Sequence, residues 1–453
     1  MSAHERFDLK SLDDLRRALE ARGLSLPIDE DLACLGDSVS LGDRILANRF
    51  AVHPMEGFDA DREGVPGELA FRRYRRYAAG GSTLIWFEAT AVVPEARSNP
   101  HQFHLNDRNV EAYTRLVDAT RTAARDAHGH EIVCILQLTH SGRYSKPDGI
   151  PRPIIGHHSP VLDPQHNLPA DYPIISDDAL DALQERFVET ARLAAAAGFD
   201  GVDVKACHRY LVSELLAGHR REGRYGGSWE GRTRFLRETM QRIRAALPGL
   251  LVTTRMNASD AIPHPWGWGM STETPDEIDL ADSLRLAEAL VADGAELLNI
   301  SVGNPYYNPH IGRPYDKPTR GAELPDEHPL AGVVRFVEVV RAFQQAQPGT
   351  PIAGGGYAWL RHLMPPVAAG IVRTGGAAII GQGRGAFAYP DAPKDILERG
   401  HMIPGKCCLN CSVCTQIMRD GGRTGCLIRD AEVYAPEFRA AREAALRGEA
   451  FRR

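Results

Sequence analysis

Eight short apolar runs, separated by helical stretches, constrain what this chain can fold into more than any other feature. They cover residues 50–54, 83–89, 132–139, 201–204, 251–256, 297–302, 351–354 and 377–381. The segments between them are amphipathic, as in 178–197, 281–292 and 330–345. In the first, Leu180, Leu183, Phe187 and Ala191 recur at helical spacing. Strands that are apolar on both faces and alternate with helices predict an α/β fold, a closed parallel (β/α)8 TIM barrel. An open doubly wound sheet is the alternative, but its dinucleotide fingerprint is missing. Gly381-Gln-Gly-Arg-Gly385 follows the last run, and it lacks both the third glycine at the required spacing and an acidic partner ~20 residues on.

The expected organisation is an N-terminal extension (1–40), a barrel (41–400) and a Cys-rich segment with a helical tail (401–453). In the extension, Ser11 to Asp14 resembles a capping box, and Leu12, Leu15 and Leu19 follow at helical spacing. A formal charge of −6 argues against a nucleic-acid partner, and Arg72, Arg73, Arg75 and Arg76 read as a solvated helix face. No basic stretch leads into an apolar core at the N-terminus. No apolar run approaches the ~20 residues of a membrane span, so a cytoplasmic protein is expected.

Barrel chemistry sits at the C-terminal ends of the strands. The polar residues expected there are Glu88 and Thr90, Gln137 and His140, Lys205 and His208, Arg255 and Asn257, and Ser301 and Asn304. The last two strands end in Gly354-Gly355-Gly356 and Gly383-Arg384. Such loops offer backbone N–H groups and a guanidinium, which is the composition of a phosphate site.

Five of the eight cysteines lie between Cys407 and Cys426. Cys34, Cys134 and Cys207 are isolated and read as buried thiols. Cys408, Cys411 and Cys414 follow C-x2-C-x2-C spacing, with Cys426 after eleven more residues. Three close thiols and one distant one suit a [4Fe–4S] cubane; structural zinc, the alternative, usually takes two separated knuckles. Cys407 competes with Cys408 as the first ligand. A one-electron cluster needs a redox partner, and the phosphate site suggests FMN.

With these motifs in place the sequence resembles the Old Yellow Enzyme family. Within it, the nearest likeness is to the iron–sulfur branch that includes 2,4-dienoyl-CoA reductase and trimethylamine dehydrogenase. The resemblance covers roughly 40–430 and rests on Gly198-Phe-Asp-Gly-Val-Asp-Val, His208-Arg-Tyr210, Tyr225-Gly-Gly-Ser228, Arg232-x-Arg234-Phe235, Gln137-Leu-x-His140-x-Gly142-Arg143, Arg255, Gly383-Arg384 and the cysteines. It implies that Gln137 bonds the flavin pyrimidine edge and that Arg255 stabilises reduced flavin. Pro54, Met55 and Ala89 would flank the ring, and Gly355, Gly356, Gly383 and Arg384 would hold its phosphate. Tyr210 would be the proton donor, while Lys205 and His208 would bind a substrate oxygen. Lys205 departs from the family's histidine or tyrosine. Glu56 replaces the cysteine that attaches flavin in trimethylamine dehydrogenase, so noncovalent FMN is expected.

The branch usually continues into nucleotide-binding domains, whereas this sequence runs 27 residues beyond Cys426. That implies either an external electron-transfer protein or direct reduction of FMN by NADH or NADPH. The expected activity is reduction of an activated C=C bond. An amine dehydrogenase or demethylase is the alternative, and a noncatalytic barrel is a third reading. Oligomeric state stays open.

Overall fold

Runs of branched and aromatic residues too short for buried helices, each followed by an amphipathic helix, close on themselves in this chain. The computed structural model describes residues 3–451. A two-stranded hairpin comes first, β1 (Val39–Leu41) and β2 (Arg44–Leu46), turning at Gly42 with φ +54°. The barrel strands are β3 (Phe50–Val52), β4 (Leu84–Ala91), β5 (Val133–Thr139), β6 (Gly201–Val204), β7 (Leu251–Asn257), β8 (Leu298–Ser301), β9 (Ile352–Gly354) and β10 (Ile379–Gln382). All neighbours are parallel, and the barrel closes where Ile380, Gly381 and Gln382 pair with Phe50, Ala51 and Val52.

Each expected strand is present, with ends moved by a few residues. The hairpin was absent from the sequence reading. Val39, Leu41 and Leu46 pack on Leu84, Val133, Leu251 and Ile379 at the strand starts, so the hairpin plugs the N-terminal mouth. Chemistry is left to the other end.

The N-terminal helix Leu12–Glu20 forms as expected. Ser11 caps the amide of Asp14 at 3.2 Å, Asp14 returns the bond to Ser11 N–H at 3.0 Å, and Leu15 and Leu19 are buried. The arginine run differs from expectation. Of the four arginines on helix Glu68–Ala79, only Arg75 is exposed. Arg73 is buried between Asp59 and Glu88, and Arg72 and Arg76 both bond Asp430. The face is a docking face, because its acidic partners are supplied by segments remote in sequence.

Residues after 400 pack across the C-terminal end of the barrel. The Thr424 N–H donates to the Gly57 carbonyl at 2.6 Å, the Asp316 N–H to the Asn410 carbonyl at 3.1 Å, and the Asn410 side chain to the Ala358 carbonyl at 3.1 Å. Among the described residues no helix is long and apolar enough to cross a membrane.

Candidate active site

Loop 53–59, leaving β3, is fixed from behind by a buried charge cluster. Glu88 sits where the β4–β5 register shifts between Phe87 and Thr90, and its carboxylate faces Gly57, Arg73 and Tyr74. It accepts the Gly57 N–H at 2.7 Å, the Tyr74 hydroxyl at 3.2 Å and the Arg73 guanidinium. Burial pushes Glu88 up to about 7 against the pull of Arg73. Thr90 donates to the Glu88 carbonyl at 3.0 Å. These two strand-end residues support the site from outside it.

The central floor is a hydrogen-bonded set. Asp203 on β6 accepts the Gln137 amide at 2.8 Å on one oxygen and the Arg255 backbone N–H at 2.7 Å on the other. Burial raises Asp203 to about 6 despite those donors. The Arg255 guanidinium reaches only Ser301, at 3.5 Å, and its buried Nε has no partner among the described residues. The buried Gln382 amide nitrogen likewise has no partner among the described residues. Sequence reasoning missed Gln382, although it ends β10 directly before Gly383-Arg384. His53 was missed too, because a histidine inside an apolar run reads as strand filling. It is buried, bonds the Gly354 carbonyl at 3.2 Å and Asn299 at 3.1 Å, and is held neutral by burial and then by Arg255.

After β6 the chain reverses through two left-handed residues, His208 (φ +65°) and Arg209 (φ +59°). Non-glycine residues adopt this conformation at a cost that their surroundings must hold. Here the buried Arg209–Asp260 pair, 3.0 Å apart, is the anchor. The reversal delivers Tyr210 to the mouth, where its hydroxyl lies 3.3 Å from both Glu56 Oε1 and the Tyr306 hydroxyl. Tyr306 stacks on Tyr144 with centroids 3.9 Å apart. The Lys205 ammonium lies 3.8 Å from the Tyr210 ring centroid and 3.8 Å from Glu56 Oε1. Burial, then Glu56, raises Tyr210 well above an ordinary phenol, so it stays protonated. Burial, then Arg255 and Lys205, keeps His208 neutral.

His140 and Asn257 serve the scaffold. His140 accepts the Gly142 N–H at 3.0 Å, and Asn257 bonds Asp260 at 2.8 Å and the Gly303 carbonyl at 2.9 Å. Ser301 faces Arg255 and Asn304 bonds Tyr144, at 3.5 and 3.4 Å. Ala89 is buried, with its carbonyl accepting Gln102 at 2.9 Å.

On the β9–β10 side a cleft of about 490 Å³ is lined by Gly356, Gly381, Gln382, Gly383, Gly385, Met402, Cys407 and Cys408. Gly356 has φ +91°, and a Cβ there would lie 2.4 Å from the Phe336 ring, so only glycine fits. Gly355 lies deeper, against His53, and Met55 comes within 3.5 Å of a Cβ built on Gly383. The donor set fits FMN: a glycine-rich rim, the buried Gln382 Nε2 in the cleft wall and, outside that wall, the buried Arg255 Nε, neither with a partner among the described residues. Lys205, Glu56 and Tyr210 lie outside this cleft's lining, under the Tyr144–Tyr306 stack.

Cys408, Cys411, Cys414 and Cys426 are half-buried and electrostatic neighbours. Cys408 is influenced by Cys414 and Cys426, and Cys426 by Cys414 and Cys411. Left-handed Asn410 (φ +50°) and Ser412 (φ +58°) fold the loop tightly. The N–H groups of Asn410 and Arg429 point at the Cys408 and Cys426 sulfurs, each at 3.4 Å. Such donors suit thiolate ligands of a cluster. Among the described residues no group of three or more His, Cys, Asp or Glu converges as a single-ion site. A cubane instead distributes four thiolates over four irons. Cys407 is apart, buried and donating to the Ile403 carbonyl at 3.5 Å. Cys34, Cys134 and Cys207 are buried, as expected.

Residues 37–294 match the NADH:flavin oxidoreductase / NADH oxidase family. The chain belongs to that family. This is the Old Yellow Enzyme family, and the protein is a flavin-dependent oxidoreductase. An NADPH dehydrogenase of Bacillus pumilus is 32% identical over 263 residues, 57% of this chain and 70% of the relative. One from Listeria monocytogenes is 28% identical over 267 residues, 58% and 71% of the two chains.

Three solved structures share the fold. A 2-naphthoyl-CoA reductase complex is 20% identical with TM-score 0.66, covering 85% of this chain and 54% of that one. Histamine dehydrogenase from Rhizobium sp. 4-9 is 22% identical with TM-score 0.61, covering 81% and 48%. The old yellow enzyme homologue of Zymomonas mobilis is 22% identical with TM-score 0.58, covering 82% and 94%. The chain thus spans about half the length of the first two. The matched family span ends before the glycine-rich rim and the cysteines.

Proposed function

We propose that the protein reduces an activated C=C bond, using FMN in the barrel mouth and a [4Fe–4S] cluster on Cys408, Cys411, Cys414 and Cys426. It would then stand in the iron–sulfur branch of its family. Pro54, Met55, Ala89, Gln137 and Arg255 would contact the flavin ring. Gly355, Gly356, Gly383 and Arg384 would take its phosphate. Bound there, FMN supplies a hydride equivalent from N5. NADPH is the proposed donor, in keeping with the curated relatives' names, and an external protein is the proposed electron partner of the cluster.

The observation that carries the reading is the Lys205–Tyr210–Glu56 group. The Lys205 ammonium would donate to a substrate carbonyl, with neutral His208 beside it, withdrawing electrons from the conjugated bond. The protonated Tyr210 hydroxyl would deliver a proton to the carbon that receives no hydride. The stacked tyrosines would keep water from the mouth.

A second reading, oxidation of an amine, draws on the same group, since a carboxylate among three tyrosines is the composition of an ammonium cage. The cation position on Tyr210 is already filled by Lys205, 3.8 Å from the ring centroid, and Glu56 is matched to it. No spare negative charge faces an incoming ammonium there, and like charges repel in a confined site.

The test is the reductive half-reaction of anaerobically purified enzyme. NADH or NADPH bleaches the flavin absorbance, and simple mono- and dimethylamines do not. Bleaching by an amine but by neither nicotinamide overturns the reductase.

A further inference from the structure

Glu56 has no step in the reaction above, yet it is held from every side. Ser98 Oγ donates to one carboxylate oxygen at 2.8 Å, and the Tyr210 hydroxyl to the other at 3.3 Å. Ser98 is itself pinned, with its N–H on Gln102 at 2.6 Å and its hydroxyl accepting Asn99 at 3.0 Å. The backbone is clamped at the next residue, where Gly57 N–H bonds Glu88 and Gly57 O accepts Thr424. The Glu56 side chain is 12% exposed, so its charge is little screened.

Its distance from Lys205 decides what that charge does. At 3.8 Å the ammonium and carboxylate attract, but this lies beyond hydrogen-bond reach. Glu56 therefore offsets the Lys205 charge without consuming an N–H. Asp203 holds the Arg255 backbone by accepting its N–H, while the Arg255 guanidinium itself faces Ser301. A neutral oxygen entering here gains a hydrogen bond from Lys205. A carboxylate gains the same bond but also meets Glu56, and the two electrostatic contributions oppose.

We propose that Glu56 is a specificity-determining residue that admits neutral carbonyl groups (ketone, aldehyde, amide, ester or thioester) and excludes free carboxylates. The proposal rests on the reading that ligand oxygen binds at Lys205, but it does not require C=C reduction.

The test uses flavin-loaded enzyme titrated with benzamide and with benzoate, following the flavin absorbance. Wild type prefers benzamide. Glu56→Gln, the same size without the charge, lowers the benzoate Kd about tenfold and leaves benzamide within about threefold, as one uncompensated cation in a largely buried site requires. Glu56→Asp keeps the wild-type preference. Benzoate binding that does not respond to Glu56→Gln, or parallel changes for both ligands, overturns the proposal. Should Glu56→Gln fail to retain flavin, Lys205→Met reads the same balance from the other side. Leaving Glu56 unmatched, it must weaken benzoate more than benzamide, and an equal loss overturns the idea. A charge switch in an enzyme that reduces no enone would refute the reaction and leave this role standing. An enone reductase without the switch would refute this role alone.

Discussion

Tyr210 illustrates how much a single residue depends on its neighbours' backbone. Its hydroxyl reaches the mouth because His208 and Arg209 hold left-handed conformations that a buried Arg209–Asp260 pair maintains. Removing only the hydroxyl tests the proposed acid. Tyr210→Phe is expected to bind flavin and be bleached by NADPH at the wild-type rate, while turnover with an enone falls about a hundredfold or more. Stopped-flow comparison of the two half-reactions separates these effects. Equal slowing of both would assign Tyr210 to packing. This residue was legible only through the family resemblance, because the strand-end reading stopped at Lys205 and His208. Glu56 was legible only as a missing cysteine, since its significance lies in distances to Ser98, Lys205 and Tyr210, which come from two other segments.

At the scale of elements, apolar periodicity specifies strands and helices because burial depends on spacing within one segment. Docking depends on partners far along the chain. For that reason the arginines of Glu68–Ala79 read as solvated, although Arg72 and Arg76 grip Asp430, four residues past Cys426. The β1–β2 hairpin escaped notice for a related reason: its three-residue strands are too short to carry a pattern, and the barrel end they cover is assembled from several runs. The Asp430 clamp has a measurable consequence. Asp430→Ala removes a carboxylate 10% exposed that bonds two guanidinium groups, and is expected to lower unfolding stability by about 1–3 kcal/mol. Hydrogen exchange across 407–430 should accelerate selectively. Unchanged protection there would mean that the cysteine segment is held by other contacts.

For the molecule as a whole, burial of neutral histidines predicts acid sensitivity. Burial pushes His140 down to about 4 and His157 to about 3, and holds His53 and His208 well below the usual value. Their folded pKa values lie below the unfolded value near 6.5, so the unfolded chain binds protons that the native state refuses. Stability is therefore full above about pH 6.5 and falls as pH drops toward 4, each group adding a slope of up to about 1.4 kcal/mol per pH unit. Asp203 and Glu88, raised to about 6 and about 7, act with the opposite sign and are outnumbered. Urea unfolding between pH 7 and 4.5 checks this, and a flat profile would contradict it.

Transfer of reducing equivalents from this barrel mouth to an activated C=C bond, the proposed reaction, is read in the oxidative half-reaction alone. Photoreduced enzyme, free of nicotinamide, is mixed anaerobically with 2-cyclohexenone. The flavin absorbance is expected to recover with one cyclohexanone formed per flavin reoxidised; flavin that stays bleached, with no saturated ketone formed, would rule the reaction out.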